Sequence, residues 1–336
     1  MATSDDKIIL DVRDLKIQIP LDEGDLTPVR GVDFQLHVNE TLGLVGESGC
    51  GKSLTCKAIL GINSQNCKTS GNIDLHYEDG KVSNLLDMKF NSKAIREIRG
   101  QQIAMIFQEP MSAFSPLFTV GHQLAEAVRV HTKADKKAAK ELVLETMNKV
   151  GIADPPKRFD QHPHEFSGGM LQRALIAMAL VCNPRMLIAD EPTTALDVTI
   201  QAQILELLKK LQNDYGMAIL YITHDLGTVA QICDNVAVMY LGRIIEMASV
   251  KEIFKNPLHP YTRGLIHSVH KIGGGHERLV SIEGSVPLAM NLENRCGFYD
   301  RCDFKGEACQ GPDPQLKRIG AEGTHYAACY QTQKAE

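Results

Sequence analysis

The segment 46–53, Gly-Glu-Ser-Gly-Cys-Gly-Lys-Ser, constrains the fold of this chain more than any other feature. It fits the pattern G-x-x-x-x-G-K-[ST] and lies between a short apolar run, 41–45, and a stretch of helical character that continues to Ile59. Glycines let successive backbone N–H groups turn inward around an anion, and the N-terminus of a helix adds positive potential. The pattern therefore predicts a strand, a phosphate-binding loop and a helix, in that order.

Within this loop the Lys52 ammonium is expected to reach the outer phosphates of a nucleotide, and the Ser53 hydroxyl is expected to bind Mg²⁺. The alternative is a glycine turn that fits the pattern by chance. Such a turn is not expected to have a strand directly before it and a helix directly after it, so we set this alternative aside. The predicted nucleotide contacts are Gly46, Glu47, Ser48, Gly49, Cys50, Gly51, Lys52, Ser53 and Leu54.

Apolar runs and amphipathic stretches alternate along the rest of the chain. The strand-like runs are 8–15, 41–45, 103–107, 186–189 and 217–223, and the clearest helical stretches are 134–150 and 200–211. Such alternation predicts an α/β fold with a mainly parallel sheet.

Two acids, Asp190 and Glu191, follow the apolar run 186–189. At the end of a parallel strand, such a pair places one carboxylate at a magnesium ion and the next beside the γ-phosphate of a nucleotide. Asp190 is predicted to act on Mg²⁺ through a water molecule, and Glu191 to polarise the attacking water as a general base. An isolated Asp-Glu pair is more often a solvated strand end, but the phosphate loop in the same chain favours the catalytic interpretation.

A second anion site is predicted at Ser167, Gly168 and Gly169, because they precede the helical stretch 171–181. The chain has only one lysine-bearing phosphate loop, so this second site is interpreted as contacting a nucleotide held by another subunit. The alternative is an ordinary serine at the start of a helix.

The composition narrows the possible partners. The chain has 336 residues, with Lys plus Arg 36 against Asp plus Glu 41 and a net charge of -5, which argues against a protein that coats nucleic acid. Its apolar runs fall short of the roughly 18 residues that a membrane-spanning helix needs, and residues 1–7 lack the pattern of a secretory signal. We therefore expect a cytoplasmic chain without a nucleic-acid partner.

Taken together, these motifs resemble the ATP-binding cassette (ABC) transporter ATPases, and within them the oligopeptide and dipeptide importer type. The stretches 191–204 and 256–262 are similar to segments typical of peptide and nickel importer cassettes. The resemblance implies a P-loop NTPase cassette with a mainly parallel core sheet, an antiparallel N-terminal β subdomain, an inserted helical subdomain and a small cysteine-rich C-terminal domain. It places the nucleotide-binding domain at 1–255, its helical subdomain at about 109–183 and a C-terminal extension at 256–336.

The resemblance also assigns roles to single residues. Gln108 looks like the glutamine that touches magnesium, His224 like the switch histidine that contacts the γ-phosphate, and Asp197 like the aspartate of the D-loop, 195–197. Relatives usually stack the adenine on an aromatic residue near the first strand, where this chain has Ile19. Lys52, Glu191 and His224 would then be the catalytic residues.

By the same resemblance, the chain is an ATP-hydrolysing subunit at the cytoplasmic face of the membrane that energises peptide uptake. The implied partners are a second, homologous ATPase subunit in a heterodimer, two permease subunits and an extracytoplasmic solute-binding protein. Nickel, glutathione and oligosaccharides remain alternative solutes, and a homodimer remains an alternative assembly. A soluble ABC ATPase of translation or DNA repair is disfavoured, because the chain holds one cassette with only a modest insertion.

Four cysteines crowd the tail that follows the glycine run 273–275: Cys296, Cys302, Cys309 and Cys329. Four thiolates satisfy either a zinc ion or a [4Fe–4S] cluster, and the spacing lacks the paired C-x₂-C of a zinc ribbon. Relatives with a similar tail favour the cluster; zinc and unliganded thiols remain alternatives. From sequence alone, replacing Cys296 and Cys302 by serine is expected to remove the metal and leave nucleotide binding largely intact.

Overall fold

The computed structural model describes residues 7–194, 196–268, 282–320 and 324–333. Backbone contacts divide the chain into two compact units: unit 1 comprises Met1–Asp87 and Ile222–Glu336, and unit 2 comprises Met88–Tyr221. Three of the sequence features above lie wholly or partly outside the described residues. They are the first six residues, Ala195 of the predicted D-loop and the glycine run 273–275.

Strands and helices are numbered in chain order. Unit 1 contains the strands β1 (Ile8–Leu21), β2 (Gly24–His37), β3 (Thr41–Val45), β4 (Lys68–His76), β5 (Val82–Asn84), β9 (Asn235–Tyr240), β10 (Arg243–Ser249), β11 (Lys317–Arg318) and β12 (Tyr326–Ala327). Its helices are α1 (Lys52–Ile59), α9 (Leu226–Ile232), α10 (Val250–Lys255), α11 (Pro260–His267) and α12 (Tyr330–Gln333).

Unit 1 holds two groups of hydrogen-bonded strands. The first is an antiparallel sheet in the order β2-β1-β4-β5, and the second follows the order β11-β12-β10-β9-β3. In the second group β3 and β9 are parallel, and the other pairs are antiparallel. All five residues of β3 are buried, so both of its faces are covered, as is usual for a parallel strand in an α/β fold.

Unit 2 contains the strands β6 (Ile103–Ile106) and β7 (Met186–Asp190), and most of β8 (Ala218–Thr223). β6 and β7 are parallel, and both are buried throughout. Its helices are α2 (Lys93–Ile98), α3 (Pro110–Ala113), α4 (Val120–His131), α5 (Lys136–Lys149), α6 (Pro155–Phe159), α7 (Gly168–Leu180) and α8 (Val198–Tyr215).

The longer helices of unit 2 begin at side chains that accept hydrogen bonds from the first free backbone amides. Thr119 does this for α4, Asp135 for α5, Ser167 for α7 and Asp197 for α8. α8 ends at Gly216, whose φ of 64° suits a residue without a Cβ.

The structure confirms the strands and helices expected from sequence and extends several of them. β1 continues to Leu21 because it pairs with β2 beyond the predicted end, with Ile17 opposite Val29 and Ile19 opposite Leu26. The predicted parallel strands are found in the pairs β3–β9 and β6–β7, whereas β10, β11 and β12 add antiparallel pairs.

A separate cysteine-rich domain at the C-terminus is not confirmed. The segment that carries the four cysteines belongs to unit 1, where β12 pairs with β10 through Glu246 opposite Ala327. Backbone hydrogen bonding to the sheet thus joins the tail to this unit. In the described part of the chain, no helix combines the length and apolar character needed to span a bilayer.

Candidate functional site

The phosphate loop joins β3 to α1 in unit 1, and backbone crowding explains two of its glycines. A Cβ at Gly46 would lie 2.2 Å from the carbonyl oxygen of Met239, and a Cβ at Gly51 would lie 2.3 Å from that of Pro28. Gly51 also has a φ of 106°, which other residues rarely adopt. The loop therefore needs glycine at both positions to reach this conformation.

The Lys52 side chain folds back into the loop. It is 5% exposed, and Nζ donates to the carbonyl oxygens of Gly46, at 2.7 Å, and Glu47, at 3.0 Å. Ser53 and Leu54 follow in the first turn of α1 and are half-buried, while Ser48 and Gly49 are exposed at the tip of the loop. The ammonium is thus held among the backbone groups that are predicted to surround the phosphates.

Cys50 is fully buried beneath the loop, and burial raises the pKa of its thiol. Its carbonyl oxygen accepts a hydrogen bond from the N–H of Gly242 at 3.0 Å. Cys50 therefore supports the loop from inside the protein and is not a reactive thiolate.

Two further predicted residues lie in unit 1. His224 directly follows β8 and is exposed, and the next residue, Asp225, caps α9 by accepting a hydrogen bond from the N–H of Gly227 at 2.8 Å. Ile19 is half-buried in β1 opposite Leu26 of β2.

Unit 2 brings Asp190, Glu191 and Gln108 to the carboxyl ends of the parallel strands β6 and β7. Asp190 is the last residue of β7 and is 4% exposed. Oε2 of Glu191 accepts hydrogen bonds from Nε2 of Gln108 at 2.9 Å and from Oγ1 of Thr194 at 3.0 Å. Glu191 also has a φ of 48°, a left-handed conformation that is uncommon for a residue with a side chain.

The predicted second anion site also has its expected local structure. Ser167 precedes α7, and its Oγ accepts a hydrogen bond from the N–H of Met170 at 3.3 Å. Ser167 and Gly168 are exposed, whereas a Cβ at Gly169 would lie 3.0 Å from Ile200 of α8. Asp197 caps α8, so the two predicted contact segments lie at the starts of two neighbouring helices.

The four tail cysteines line a single cavity in unit 1, together with Phe298 and His259. Burial raises the pKa of Cys296 to about 12 and also raises that of Cys302, so metal binding there would have to displace thiol protons. Among the described residues, no group of three or more His, Cys, Asp or Glu side chains is arranged to hold a metal ion. The four cysteine thiols therefore surround one cavity, but they are not arranged to hold a metal ion.

Comparison with known protein families gives two matches along the chain. Residues 29–194 match the family model described as ABC transporter, and residues 245–309 match that of the oligopeptide/dipeptide transporter C-terminal region. A probable peptide ABC transporter ATP-binding protein, y4tR of Sinorhizobium fredii, is 48% identical over 97% of this chain and 95% of its own length. The chain belongs to the ABC transporter family.

Another relative and a solved structure agree with this assignment. The dipeptide transport ATP-binding protein DppD of Bacillus subtilis is 45% identical over 98% of this chain and 96% of its own length. The structure of cbiO1 from Clostridium perfringens, part of the ABC transporter complex cbiONQ, superposes with a TM-score of 0.62 at 28% identity, over 75% of this chain and 92% of that one. The fold is therefore that of an ABC cassette. As a member of this family, the chain is an ATPase.

Sequence reasoning missed the residues that touch the phosphate loop from the C-terminal segment. Arg301 forms two hydrogen bonds with the Glu47 carboxylate, and the Tyr261 hydroxyl accepts one from the Glu47 N–H at 2.9 Å. One signal for these contacts is visible in the sequence. An acidic residue inside a phosphate-binding loop is expected to pair with a cation, but the neighbouring sequence does not identify which arginine supplies it.

Proposed function

We propose that this ABC ATPase is the ATP-hydrolysing subunit of a peptide importer. The observation that carries the proposal is the second family match, because residues 245–309 fit the C-terminal region of oligopeptide and dipeptide transporters in addition to the cassette match. Relatives named for peptide and dipeptide transport match along nearly their whole length. Nickel, glutathione and oligosaccharides are the alternative solutes.

The proposed partners are two permease subunits and an extracytoplasmic solute-binding protein, with this chain peripheral on the cytoplasmic face of the membrane. Unit 2 offers a surface that suits the permease. Four large apolar side chains are exposed in 107–118, after β6: Phe107, Met111, Leu117 and Phe118. Clustered exposed apolar residues of this kind are typical of protein interaction sites.

The proposed nucleotide chemistry assigns one role to each site residue. Lys52 and the loop amides hold the outer phosphates, and Glu191 acts as the general base toward the attacking water. Ser53 and Gln108 would supply oxygen donors, which Mg²⁺ prefers, and Asp190 would act on the ion through a water molecule. Nε2 of Gln108 donates to Glu191, so its Oε1 would be the atom that binds the metal ion. The ion would neutralise charge on the phosphates.

Two further contacts complete the proposed nucleotide site. His224 is proposed to contact the γ-phosphate. It directly follows β8 and is exposed there, so its ring is accessible to a ligand. Ile19 packs against the adenine in place of an aromatic side chain. Apolar contact replaces stacking only in part, since aromatic contacts add about 0.5–1.5 kcal/mol beyond area burial.

Two cassettes are proposed to close on ATP head to tail, so that Ser167, Gly168, Gly169 and Asp197 of one subunit face a nucleotide held by the other. The exposed N-terminus of α7 supports this arrangement, because its free amides and the helix dipole favour an anion. The second subunit is proposed to be a homologous ATPase, which gives a heterodimer.

We further propose that Cys296, Cys302, Cys309 and Cys329 hold a [4Fe–4S] cluster. The cysteines line one cavity, which supports a shared ligand. Four thiolates satisfy either one zinc ion or the irons of a [4Fe–4S] cluster. The spacing of the four cysteines lacks the paired C-x₂-C of a zinc ribbon, which favours the cluster over zinc.

Transport in reconstituted vesicles tests the peptide assignment. The chain would be co-expressed with the proposed permease subunits and second ATPase, placed in proteoliposomes and supplied with the solute-binding protein and ATP. Uptake of labelled di- and oligopeptides that depends on ATP is the expected result. Uptake of nickel, glutathione or oligosaccharide in the absence of peptide uptake would overturn the proposal.

Metal analysis after anaerobic purification tests the cluster. Iron and sulfide near four per chain, lost together in Cys296→Ser, is the expected result. Stoichiometric zinc with no sulfide would contradict the cluster, and a metal-free chain would support unliganded thiols.

A further inference from the structure

The second residue of the phosphate loop is an acid, Glu47, with a half-buried side chain. A carboxylate beside phosphate-binding amides repels the phosphates unless a cation neutralises it. Arg301 supplies that cation: Nη1 lies 2.7 Å from Oε2 of Glu47, and Nη2 lies 3.0 Å from Oε1. This is the paired, two-bond geometry that makes arginine–carboxylate contacts strong and directional.

The C-terminal segment holds Arg301 firmly in place. Its side chain is 6% exposed, and Nε donates to the carbonyl oxygen of Glu283 at 2.9 Å. The guanidinium also lies over the rings of Tyr240, at 5.7 Å, and Phe298, at 5.9 Å. The hydrogen bonds to Glu47 raise the pKa of Arg301 further above its ordinary value, so the cation stays charged.

The backbone of Glu47 is anchored from the same side. Its N–H donates to the hydroxyl of Tyr261, a fully buried residue whose ring packs against Tyr240 at 4.7 Å and Phe298 at 5.5 Å. Phe298 in turn lines the cavity of the four cysteines. Residues after β10 therefore fix both the side chain and the backbone of one loop residue.

We propose that Arg301 is a positioning residue for the phosphate loop: it neutralises Glu47 and keeps the carboxylate turned away from the bound phosphates. The C-terminal segment thereby sets the affinity for ATP. Arg301 ends the short 3₁₀ helix Tyr299–Arg301 and directly precedes Cys302. A metal bound by the four cysteines would therefore also hold Arg301 in place and, through Arg301, the phosphate loop. This step rests on the proposed metal site.

The kinetics of ATP hydrolysis by the full chain test this role. Arg301→Met removes the charge and keeps the apolar stem, so KM for ATP rises about fivefold while kcat stays within about twofold. Adding Glu47→Gln to that chain lowers KM again, because the unneutralised carboxylate is gone. Arg301→Lys, which keeps the charge and loses the fork, gives an intermediate KM.

An arginine with a purely structural role would not be rescued by removing the acid. An unchanged KM in Arg301→Met would overturn the proposal. So would a double variant whose fold change in KM is the product of the fold changes in the two single variants. Arg295→Met is the matched control: Arg295 pairs with Glu293 and Asp300 inside the C-terminal segment, and its loss leaves KM at the wild-type value.

A second pair of variants works from the loop side, where folding of the C-terminal segment is not at stake. Glu47→Asp keeps the charge but shortens the reach to Arg301, so its KM exceeds that of Glu47→Gln, which removes the charge. The reverse order would reject the proposal even where Arg301→Met fails to fold. These readouts use ATP alone, so they stand or fall independently of which solute is transported.

Discussion

The surroundings of Glu191, the proposed general base, hold this residue in one conformation. Its backbone lies in the left-handed region, and Gln108 and Thr194 both donate to the same carboxylate oxygen. A non-glycine residue keeps such a conformation only when neighbouring contacts impose it, and residues of this kind cluster at functional sites. The two donors hold the carboxylate in place at the end of β7.

Replacing this carboxylate tests its role as the base. Glu191→Gln keeps the shape and removes the proton acceptor, so ATP binding persists while kcat falls at least about a hundredfold. Equilibrium binding of ATP and single-turnover hydrolysis measure the two effects separately. Glu206→Gln, which changes an exposed acid on α8, is the control. Hydrolysis at the wild-type rate in Glu191→Gln would reject Glu191 as the base.

At the scale of elements, one buried carboxylate on β10 connects this strand to the start of α11 and to the tail by hydrogen bonds. Glu246 of β10 is fully buried and accepts hydrogen bonds from the N–H groups of Leu258, at 2.7 Å, and His259, at 2.8 Å. Its Oε1 also lies 2.7 Å from Nε2 of His325. Burial alone would raise the pKa of Glu246, but these hydrogen bonds outweigh it and the pKa is lowered.

The start of α11 should respond to pH through His259. Its Nδ1 accepts a hydrogen bond from the N–H of Tyr261 at 3.0 Å, and burial lowers the pKa of His259 to about 4. The unfolded chain therefore binds a proton near pH 6.5 that the folded chain does not, so stability is present above pH 6.5 and lost as the pH falls toward 4. The shift corresponds to about 3 kcal/mol.

His259→Asn isolates this contribution, because asparagine still caps the helix and does not titrate. Urea unfolding at pH 7 and pH 4.5 is the measurement, and the variant loses less stability than the wild type across this interval. Burial also lowers the pKa of His131, but that effect is common to both chains and cancels. Equal losses in the two chains would show that His259 is not the titrating group.

For the whole molecule, the proposed catalytic residues are divided between the two units. Lys52 and His224 belong to unit 1, and Glu191 belongs to unit 2. The apolar residues proposed to meet the permease also belong to unit 2, whereas the cysteine tail belongs to unit 1. The proposed permease contact is therefore tested on unit 2, and the effect of the tail on ATP binding is tested on unit 1.

On unit 2, a charge in the exposed apolar segment 107–118 should uncouple transport from hydrolysis. Leu117 is 80% exposed, so Leu117→Glu leaves the fold and the ATPase activity of the isolated chain unchanged. Peptide uptake in proteoliposomes falls at least about tenfold, because a charge at an apolar interface loses its hydration. Val130→Glu, at a residue that is 70% exposed on α4, is the control. Full uptake by the Leu117 variant would place the permease contact elsewhere.

On unit 1, loss of the proposed tail metal should weaken ATP binding. Cys302→Ser removes a proposed ligand directly after Arg301, so metal content falls and KM for ATP rises by up to about fivefold, as for Arg301→Met. The expectation from sequence differs, because it leaves nucleotide binding largely intact when Cys296 and Cys302 are replaced. Metal analysis and steady-state kinetics on the same sample decide it: metal loss with an unchanged KM would mean that Arg301 is held without the metal.

The sequence by itself determined the features that depend on neighbouring residues. The phosphate loop between β3 and α1, the acids at the end of β7 and the serine cap of α7 each follow from a short run of residues, because hydrogen bonds within a few positions define them. Buried strands such as β3 and β7 were readable because each is a short, mainly apolar run of residues. The family followed from these motifs taken together.

Only the tertiary structure decided the contacts between distant segments. Arg301 and Glu47 are 254 positions apart, and no local periodicity links them. The pairing of β12 with β10, the hydrogen bonds on Glu246 and the gathering of four cysteines around one cavity are of the same kind. Such contacts depend on how strands are ordered and loops are closed, which is a property of the folded chain as a whole and not of any one segment.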